Sequence, residues 1–224
     1  MRYLEFKNRI QDMPVFVSRD LSIFGEDKQI VRNQIRRWQD KGLLIKLRKG
    51  VYVLNKDNRK INPSKLFIAN QLYTPSYVSL EYALNFYGLI PERVVDVTSV
   101  CTRKTKDFHN EFGVFIYRHI QKSCFMGFSV GKDEAGLSYF IATPEKAVVD
   151  FFYFNLAGFK KNFQEVIEEG YRFQNVSGLK KNKIMEFAGL FKNKKLIQVC
   201  SKFCEFIQKL ASPKAMPAKR RAND

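Results

Sequence analysis

Residues 18–56 have the sequence SRDLSIFGEDKQIVRNQIRRWQDKGLLIKLRKGVYVLNK, and this segment gives the clearest prediction of the fold. Ser18 is a suitable N-cap for a short first helix, and the run Gly25-Glu26-Asp27 interrupts that helix with a tight turn. A second helix is predicted over residues 27–41, with acidic residues at its positive end. Gly42 follows it directly, where a glycine commonly ends a helix. Two helices joined in this way are typical of a helix-turn-helix.

The second predicted helix has two different faces. Val31, Ile35 and Trp38 recur at i, i+4 and i+7, which predicts an apolar stripe that packs inward. The opposite face carries amide and basic side chains, namely those of Lys28, Gln29, Arg32, Asn33 and Arg36. These side chains are suited to bind a polyanion, but arginine and lysine are also ordinary residues on a solvated helix face.

A β-hairpin is predicted after this helix. Apolar runs at 43–45 and 51–54 flank Lys46-Leu47-Arg48-Lys49-Gly50, so the predicted turn carries three positive charges. Arginine and lysine reach guanine edges or phosphates, asparagine and glutamine pair with adenine, and a basic hairpin can hold the flanking backbone or enter the minor groove. The order helix, turn, helix, basic hairpin therefore predicts a winged helix-turn-helix that binds DNA.

Composition and charge agree with a polyanionic partner. The 224-residue chain is 45% hydrophobic, which is sufficient for packed cores, and its 39 basic against 22 acidic residues give a net charge of +17. The basic excess continues beyond residue 56. Nucleic acid is the first expected partner and an acidic protein the second.

The sequence predicts a cytoplasmic protein without a membrane span. No apolar run approaches the roughly 20 residues that cross a bilayer, and the start MRYLEFKNRIQ has no signal-peptide core. The cysteines lack the spacing of a disulfide framework and are interpreted as reduced thiols; they are Cys101, Cys124, Cys200 and Cys204.

Three segments are predicted. Residues 1–58 form the winged helix-turn-helix, with a supporting first helix over 3–11, and residues 59–211 form a mixed α/β domain that ends in helices. Residues 212–224 form a basic, disordered tail. The fold class is therefore α+β.

Periodicity assigns the elements of the second domain. Helices are expected from Pro63-Ser64 to Leu72, from Ser76 or Ser79 to about Pro91, after the N-capping pair Thr143-Pro144, and through most of 163–210, where the last helix has an apolar stripe. That stripe consists of Leu196, Val199, Phe203, Phe206, Ile207 and Leu210. Strands are expected at 93–102, 113–120, 123–131 and 137–142.

A basic connector is predicted between the first two of these strands. Arg103, Lys104 and Lys106 lie there beside His109, either as a positive surface that supplements the winged helix or as an ordinary solvated loop. Cys200 and Cys204 are one helical turn apart, yet they are expected to be small core residues rather than metal ligands. No cofactor or metal is predicted.

No enzyme signature is found. The chain has no phosphate-binding Gly-rich loop, no dinucleotide turn, no zinc-protease motif and no nucleophile elbow. His119, near a predicted strand end, is expected to be a hydrogen-bonded structural residue. We therefore predict a non-enzymatic protein.

Three strings of the second domain carry a family resemblance. YVSLEYALNFYGLIPE (77–92), VTSVCTRKTKDFHNEFGVFIYRHI (97–120) and IATPEKAVVDFFYF (141–154) together resemble the AbiEi-type antitoxins of bacterial abortive-infection, type IV toxin–antitoxin systems. The resemblance covers about residues 15–155, and the helical C-terminal part carries no matching motif.

The resemblance implies a repressor that binds repeats in its own promoter and counters a nucleotidyltransferase-like toxin without forming a stable complex with it. On the family pattern, DNA contacts belong to the winged helix, here Lys28, Gln29, Arg32, Asn33, Arg36, Lys46, Arg48 and Lys49. Two alternatives remain: a stand-alone winged-helix regulator, or a protein- or RNA-interaction module in which the winged helix is only structural.

Overall fold

The computed structural model describes residues 2–19, 21, 27–160 and 163–211, without the side chains of residues 28, 160 and 211. The fold is mixed α+β with a helical C-terminal part, as the sequence predicts. The helix predicted after Ser18 falls mainly on residues 20 and 22–26, and the predicted disordered tail on 212–224, so both lie outside the described residues. No described helix is long and apolar enough to cross a membrane.

In its described residues, the N-terminal unit contains two α-helices and a small sheet. Its elements are α1 (Tyr3–Ile10), β1 (Phe16–Val17), α2 (Lys28–Asp40), β2 (Leu44–Arg48) and β3 (Val51–Leu54). The strands are antiparallel in the order β1-β3-β2. Both helices match their predicted bounds to within one residue. The hairpin turn is tighter than predicted, because β2 extends through residue 48 and only residues 49 and 50 connect the strands.

The small sheet is covered on both faces. Leu44 and Leu54 pack with α1 and α2 in a separate small core. Leu47, Val51 and Val53 instead belong to the large core of the second unit. Alternate residues of a strand point to opposite faces, and this alternation places one set of hairpin side chains against each unit. The hairpin therefore joins the two units.

The second unit is built on a six-stranded mixed sheet in the order β6-β7-β5-β4-β9-β8. Its strands are β4 (Ser76–Val78), β5 (Val97–Cys101), β6 (Lys106–Asn110), β7 (Gly113–His119), β8 (Phe128–Lys132) and β9 (Ser138–Ala142). The pairs β4·β9 and β5·β7 are parallel, and the other neighbours are antiparallel. Residues 55–64, which precede this unit, contain no helix or strand.

Helices cover this sheet and extend beyond it. They are α3 (Lys65–Leu72), α4 (Leu80–Phe86), α5 (Pro144–Phe154), α6 (Phe163–Glu165) continuing into a π-helical turn (Val166–Gly170), α7 (Lys181–Leu190) and α8 (Lys194–Ala211). α5 begins as predicted: the Thr143 hydroxyl accepts a hydrogen bond from the Lys146 N–H at 3.4 Å, and Pro144 is the first helical residue. On α8, Leu196, Phe203 and Ile207 are buried, whereas Leu210 is 58% exposed and does not extend the apolar stripe as predicted.

Several predicted elements of the second unit were wrong in type or extent. Residues 76–78 form β4, a short buried strand, where the start of a helix was one expectation. Residues 106–110 form edge strand β6, where a connector was predicted, and β5 and β8 begin later than predicted. Pairing with other strands explains both new strands: β4 pairs with β5 and β9, which lie further along the chain, and β6 forms a hairpin with the next strand, β7.

Candidate nucleic-acid interface

Local chemistry fixes both ends of α2. The Asp27 carboxylate accepts hydrogen bonds from the backbone N–H groups of Gln29 at 2.7 Å and Ile30 at 3.4 Å. A side-chain acceptor at this position satisfies N–H groups that have no partner within the helix. At the other end Gly42 has φ of +67°, a left-handed conformation that glycine adopts without strain and that ends a helix.

The inner face of α2 is anchored in the small core. Val31, Ile35 and Trp38 are buried, as the helical spacing predicts. The Trp38 ring stacks on Phe6 of α1 with a centroid distance of 4.4 Å. This packing fixes the rotation of α2 about its axis, and therefore the direction in which its opposite face points.

The outer face of α2 is exposed and carries the predicted side chains. Gln29, Arg32, Asn33 and Arg36 are all exposed, and the Gln29 amide donates to the Asn33 side-chain oxygen at 3.3 Å. Neither Arg32 nor Arg36 forms a hydrogen bond or ion pair through its side chain with another described residue. The two guanidinium groups are thus exposed, and their donors have no partner among the described residues. Helix α2 also includes position 28, whose side chain lies outside the description.

Sequence reasoning did not name Arg37, which is also exposed. One residue advances a helix by about 100°, so Arg37 lies beside the face that contains Arg36 rather than on it. Its place in a run of two arginines was the signal that could have identified it.

A groove links α2 to the hairpin. Its volume is about 330 Å³, and it is lined by Ser18, Arg32, Ile35, Arg36, Gln39, Asp40, Lys46 and Tyr52. Lys46 pairs with Tyr52 across the strands, and both line this groove on the side of the sheet that faces α2. Lys46 thus lines the same groove as Arg32 and Arg36 of α2. Asp40 is the single carboxylate among the lining residues.

Arg48 has a different environment from Lys46. The pairing register shifts between these residues, so Arg48 pairs with Val51 and turns towards the second unit. Its Nε donates to the Leu72 carbonyl at 2.6 Å, and its Nη1 donates to the Lys49 carbonyl at 3.1 Å. Arg48 therefore points towards the second unit, away from the groove beside α2 that Lys46 lines. Lys49, at the turn itself, is exposed.

The predicted additional basic surface lies next to the hairpin. Arg103, Lys104 and Lys106 are exposed, although Lys106 begins strand β6 instead of lying in a loop. Asn110, at the end of the same strand, donates through Nδ2 to the Leu47 carbonyl of the hairpin at 3.1 Å. The hairpin and β6 are therefore in direct contact, although they are far apart in the sequence.

The other candidates are structural. His119 Nδ1 lies 2.9 Å from the Arg103 carbonyl, so this histidine is hydrogen-bonded as expected. Burial raises the pKa of Cys200 to about 12, and burial is also the main cause that raises the pKa of Cys204. Among the described residues, no cluster of His, Cys, Asp or Glu side chains is arranged to hold a metal ion.

No protein-family model matches the chain, and no curated protein matches its sequence.

Proposed function

We propose that residues 2–56 form a winged helix-turn-helix and that the protein binds double-stranded DNA sequence-specifically, with α2 as the recognition helix. The observation that supports this most is the outer face of α2, which exposes Arg32, Asn33 and Arg36. None of the three forms an ion pair with another described residue, and the opposite face of the helix is packed in the small core. The antiparallel hairpin of β2 and β3 directly after α2 supports the proposal, and the first helix of the motif falls mainly on residues outside the described ones.

The chemistry of that face suits the major groove. An arginine can bond guanine O6 and N7 in a bidentate manner, and asparagine or glutamine can do the same with adenine N6 and N7. Lys46 lies in the groove beside α2 and Lys49 is exposed at the hairpin turn, and each would contact backbone phosphates of the same duplex. Because the hairpin is packed against the second unit, we assign it a backbone contact and no insertion into the minor groove.

We further propose the biological role that the family resemblance implies. The protein would repress its own operon and act as antitoxin against a nucleotidyltransferase-like toxin. In that case the N-terminal unit supplies operator binding, and the antitoxin activity belongs to the second unit.

The packing of the hairpin also favours a second candidate function. Leu47, Val51 and Val53 complete the large core, which is what a structural N-terminal unit attached to a protein- or RNA-binding module would show. A fragment that begins near residue 60 would lack these three side chains, so the full chain is the proper material for separating the two functions.

Arginine substitutions on α2 test the proposed reading face. Arg32→Ala and Arg36→Ala should each weaken binding to the protein's own upstream region by about 1–3 kcal/mol where the arginine contacts a base, and relax discrimination against a scrambled duplex. Arg93→Ala is the matched control, since Arg93 is an exposed arginine of the second unit. Equal binding of all three variants and the parent to both duplexes would reject α2 as the recognition helix.

The same variants separate repression from protection. In cells that express a co-encoded toxin, the full-length Arg32→Ala/Arg36→Ala double variant should lose repression yet still protect, if antitoxin activity belongs to the second unit. Loss of both functions would mean that protection requires DNA binding. Retention of repression would contradict the assignment of α2.

A further inference from the structure

Two arginines from different units hold the same short segment of chain. Arg48 of the hairpin donates through Nε to the Leu72 carbonyl at 2.6 Å. Arg103, which follows β5, donates through Nη1 to the Thr74 carbonyl at 3.4 Å, and its guanidinium lies over the Tyr73 ring at 4.4 Å. The two cations therefore converge on three consecutive residues at the boundary between the units.

A third arginine approaches from the N-terminal unit. The backbone N–H of Ser18 donates to the Gly50 carbonyl at 2.9 Å, which places Arg19 beside the hairpin turn. Burial lowers the pKa of the Arg48 guanidinium, and the positive charges of Arg103 and Arg19 lower it further. These arginines thus affect one another electrostatically.

No described carboxylate neutralises Arg48 or Arg103. The ion pairs of the described residues include those of Lys60 with Asp12, Lys146 with Asp150 and Arg172 with Glu92, and none of these involves Arg48 or Arg103. Like charges held together without a counter-charge destabilise a fold, so such an arrangement is favourable when an anion occupies it.

The remaining donors suit a phosphate group. Arg48 uses Nε and Nη1 for carbonyls and Arg103 uses Nη1, so Nη2 of each guanidinium donates to no described atom. Arg103 is exposed and Arg48 is half-buried, so the cluster is open to solvent on one side. Arg103 thus retains the edge formed by Nε and Nη2 for bidentate contact with phosphate oxygens, whereas Arg48 contributes its Nη2 group.

We propose that Arg48 and Arg103, with Arg19 and Lys49 at the rim, form a phosphate-binding site at the boundary of the two units. The phosphate would belong to the backbone of a bound duplex, beside the segment that α2 reads, or to a small phosphorylated ligand. The assignment to a duplex phosphate rests on the proposed function, whereas the binding of a phosphate group by these arginines does not. In the first case the second unit contributes directly to DNA binding, and the footprint extends beyond that of the N-terminal unit.

Thermal unfolding of the full chain in inorganic phosphate tests the site without DNA. At equal ionic strength and pH, phosphate in place of chloride should raise the Tm of the parent with a saturable dependence on phosphate concentration. Arg103→Gln should weaken the apparent phosphate affinity about tenfold or more. Arg103→Lys should have an affinity between those of the parent and Arg103→Gln, since lysine keeps the charge but not the planar pair of donors. Arg118→Gln is the matched control, because Arg118 is an exposed arginine in a groove that also contains Glu81 and Asp96.

The response to phosphate decides whether the site exists. An identical phosphate response in the parent and Arg103→Gln, or no response in the parent, would overturn the proposal. Either result leaves sequence-specific binding through α2 untouched, because that binding is measured separately. The same loss in Arg118→Gln as in Arg103→Gln would also overturn it, since the effect would then follow net charge alone.

The salt dependence of duplex binding identifies the source of the phosphate. If a backbone phosphate is bound, Arg103→Gln should reduce the slope of log affinity against log salt by about 1 and leave discrimination between duplexes unchanged. An unchanged slope together with a lost phosphate response would assign the site to a small phosphorylated ligand. An unchanged slope together with an unchanged phosphate response would reject the site for both sources.

Discussion

A buried ion pair on α5 gives the sharpest stability prediction. Lys146 and Asp150 lie one helical turn apart with no exposed side-chain surface, and the lysine ammonium donates directly to the Asp150 Oδ1 atom. The other carboxylate oxygen accepts hydrogen bonds from the Tyr77 and Ser79 hydroxyls, each at 2.9 Å. One carboxylate thus holds together α5, β4 and the start of α4.

Removing one partner leaves an uncompensated charge in the core. Lys146→Met or Asp150→Asn should each lower the free energy of unfolding by about 3–5 kcal/mol, the usual cost of breaking a buried pair. The Lys146→Met/Asp150→Asn double variant contains no buried charge, and its amide oxygen still accepts from both hydroxyls. We expect it to be more stable than either single variant by about 2 kcal/mol.

Urea denaturation at neutral pH measures this directly. The transition midpoints should rank parent, double variant, then the two single variants, with an unchanged slope of free energy against urea. Circular dichroism of the folded proteins controls for altered structure. A loss in the double variant equal to the sum of the two single losses would refute the reasoning, because the two residues would then act independently.

Three other predictions concern single features of the fold. Trp38→Ala should lower the free energy of unfolding by about 3–5 kcal/mol in a denaturant titration, because it removes the ring stacked on Phe6, and a loss below about 1 kcal/mol would contradict that packing. Leu47→Ala should cost about 2–5 kcal/mol if the hairpin belongs to the large core, and a neutral effect would mean that the two units are not joined there. With a thiol reagent at pH 8, the native protein should react first at the half-buried Cys204, since burial raises the pKa of Cys200 to about 12; mass spectrometry showing Cys200 modified first would disprove its burial.

Local signals were sufficient to predict α2 and α5. Asp27 and Gly42 bound α2, and Thr143 with Pro144 begins α5; these residues act through hydrogen bonds and backbone angles within a few positions. The inward stripe of α2 followed from spacing alone, and with it the outward direction of the candidate reading face. Capping and periodicity depend on residues close together in the chain, so they can be identified from the sequence alone.

Features that depend on distant partners were not predictable in the same way. Strand β4 has only three residues, and it is a strand because it pairs with β5 and β9, which lie further along the chain. The Arg48 side chain points towards the second unit because the pairing register shifts in β2, and no local sequence pattern predicts that shift. The proximity of Arg48 and Arg103 could therefore be seen only in the structure, although the sequence shows both as basic residues.

The proposed function of the N-terminal unit is the specific recognition of DNA. Its most direct test is a mobility shift of the intact protein on its own upstream region against a scrambled duplex of equal length, at low and at physiological salt. We expect a preference for the upstream region that persists at the higher salt, since base contacts discriminate between sequences while phosphate contacts weaken with salt. Equal binding to both duplexes that disappears at the higher salt would contradict the claim.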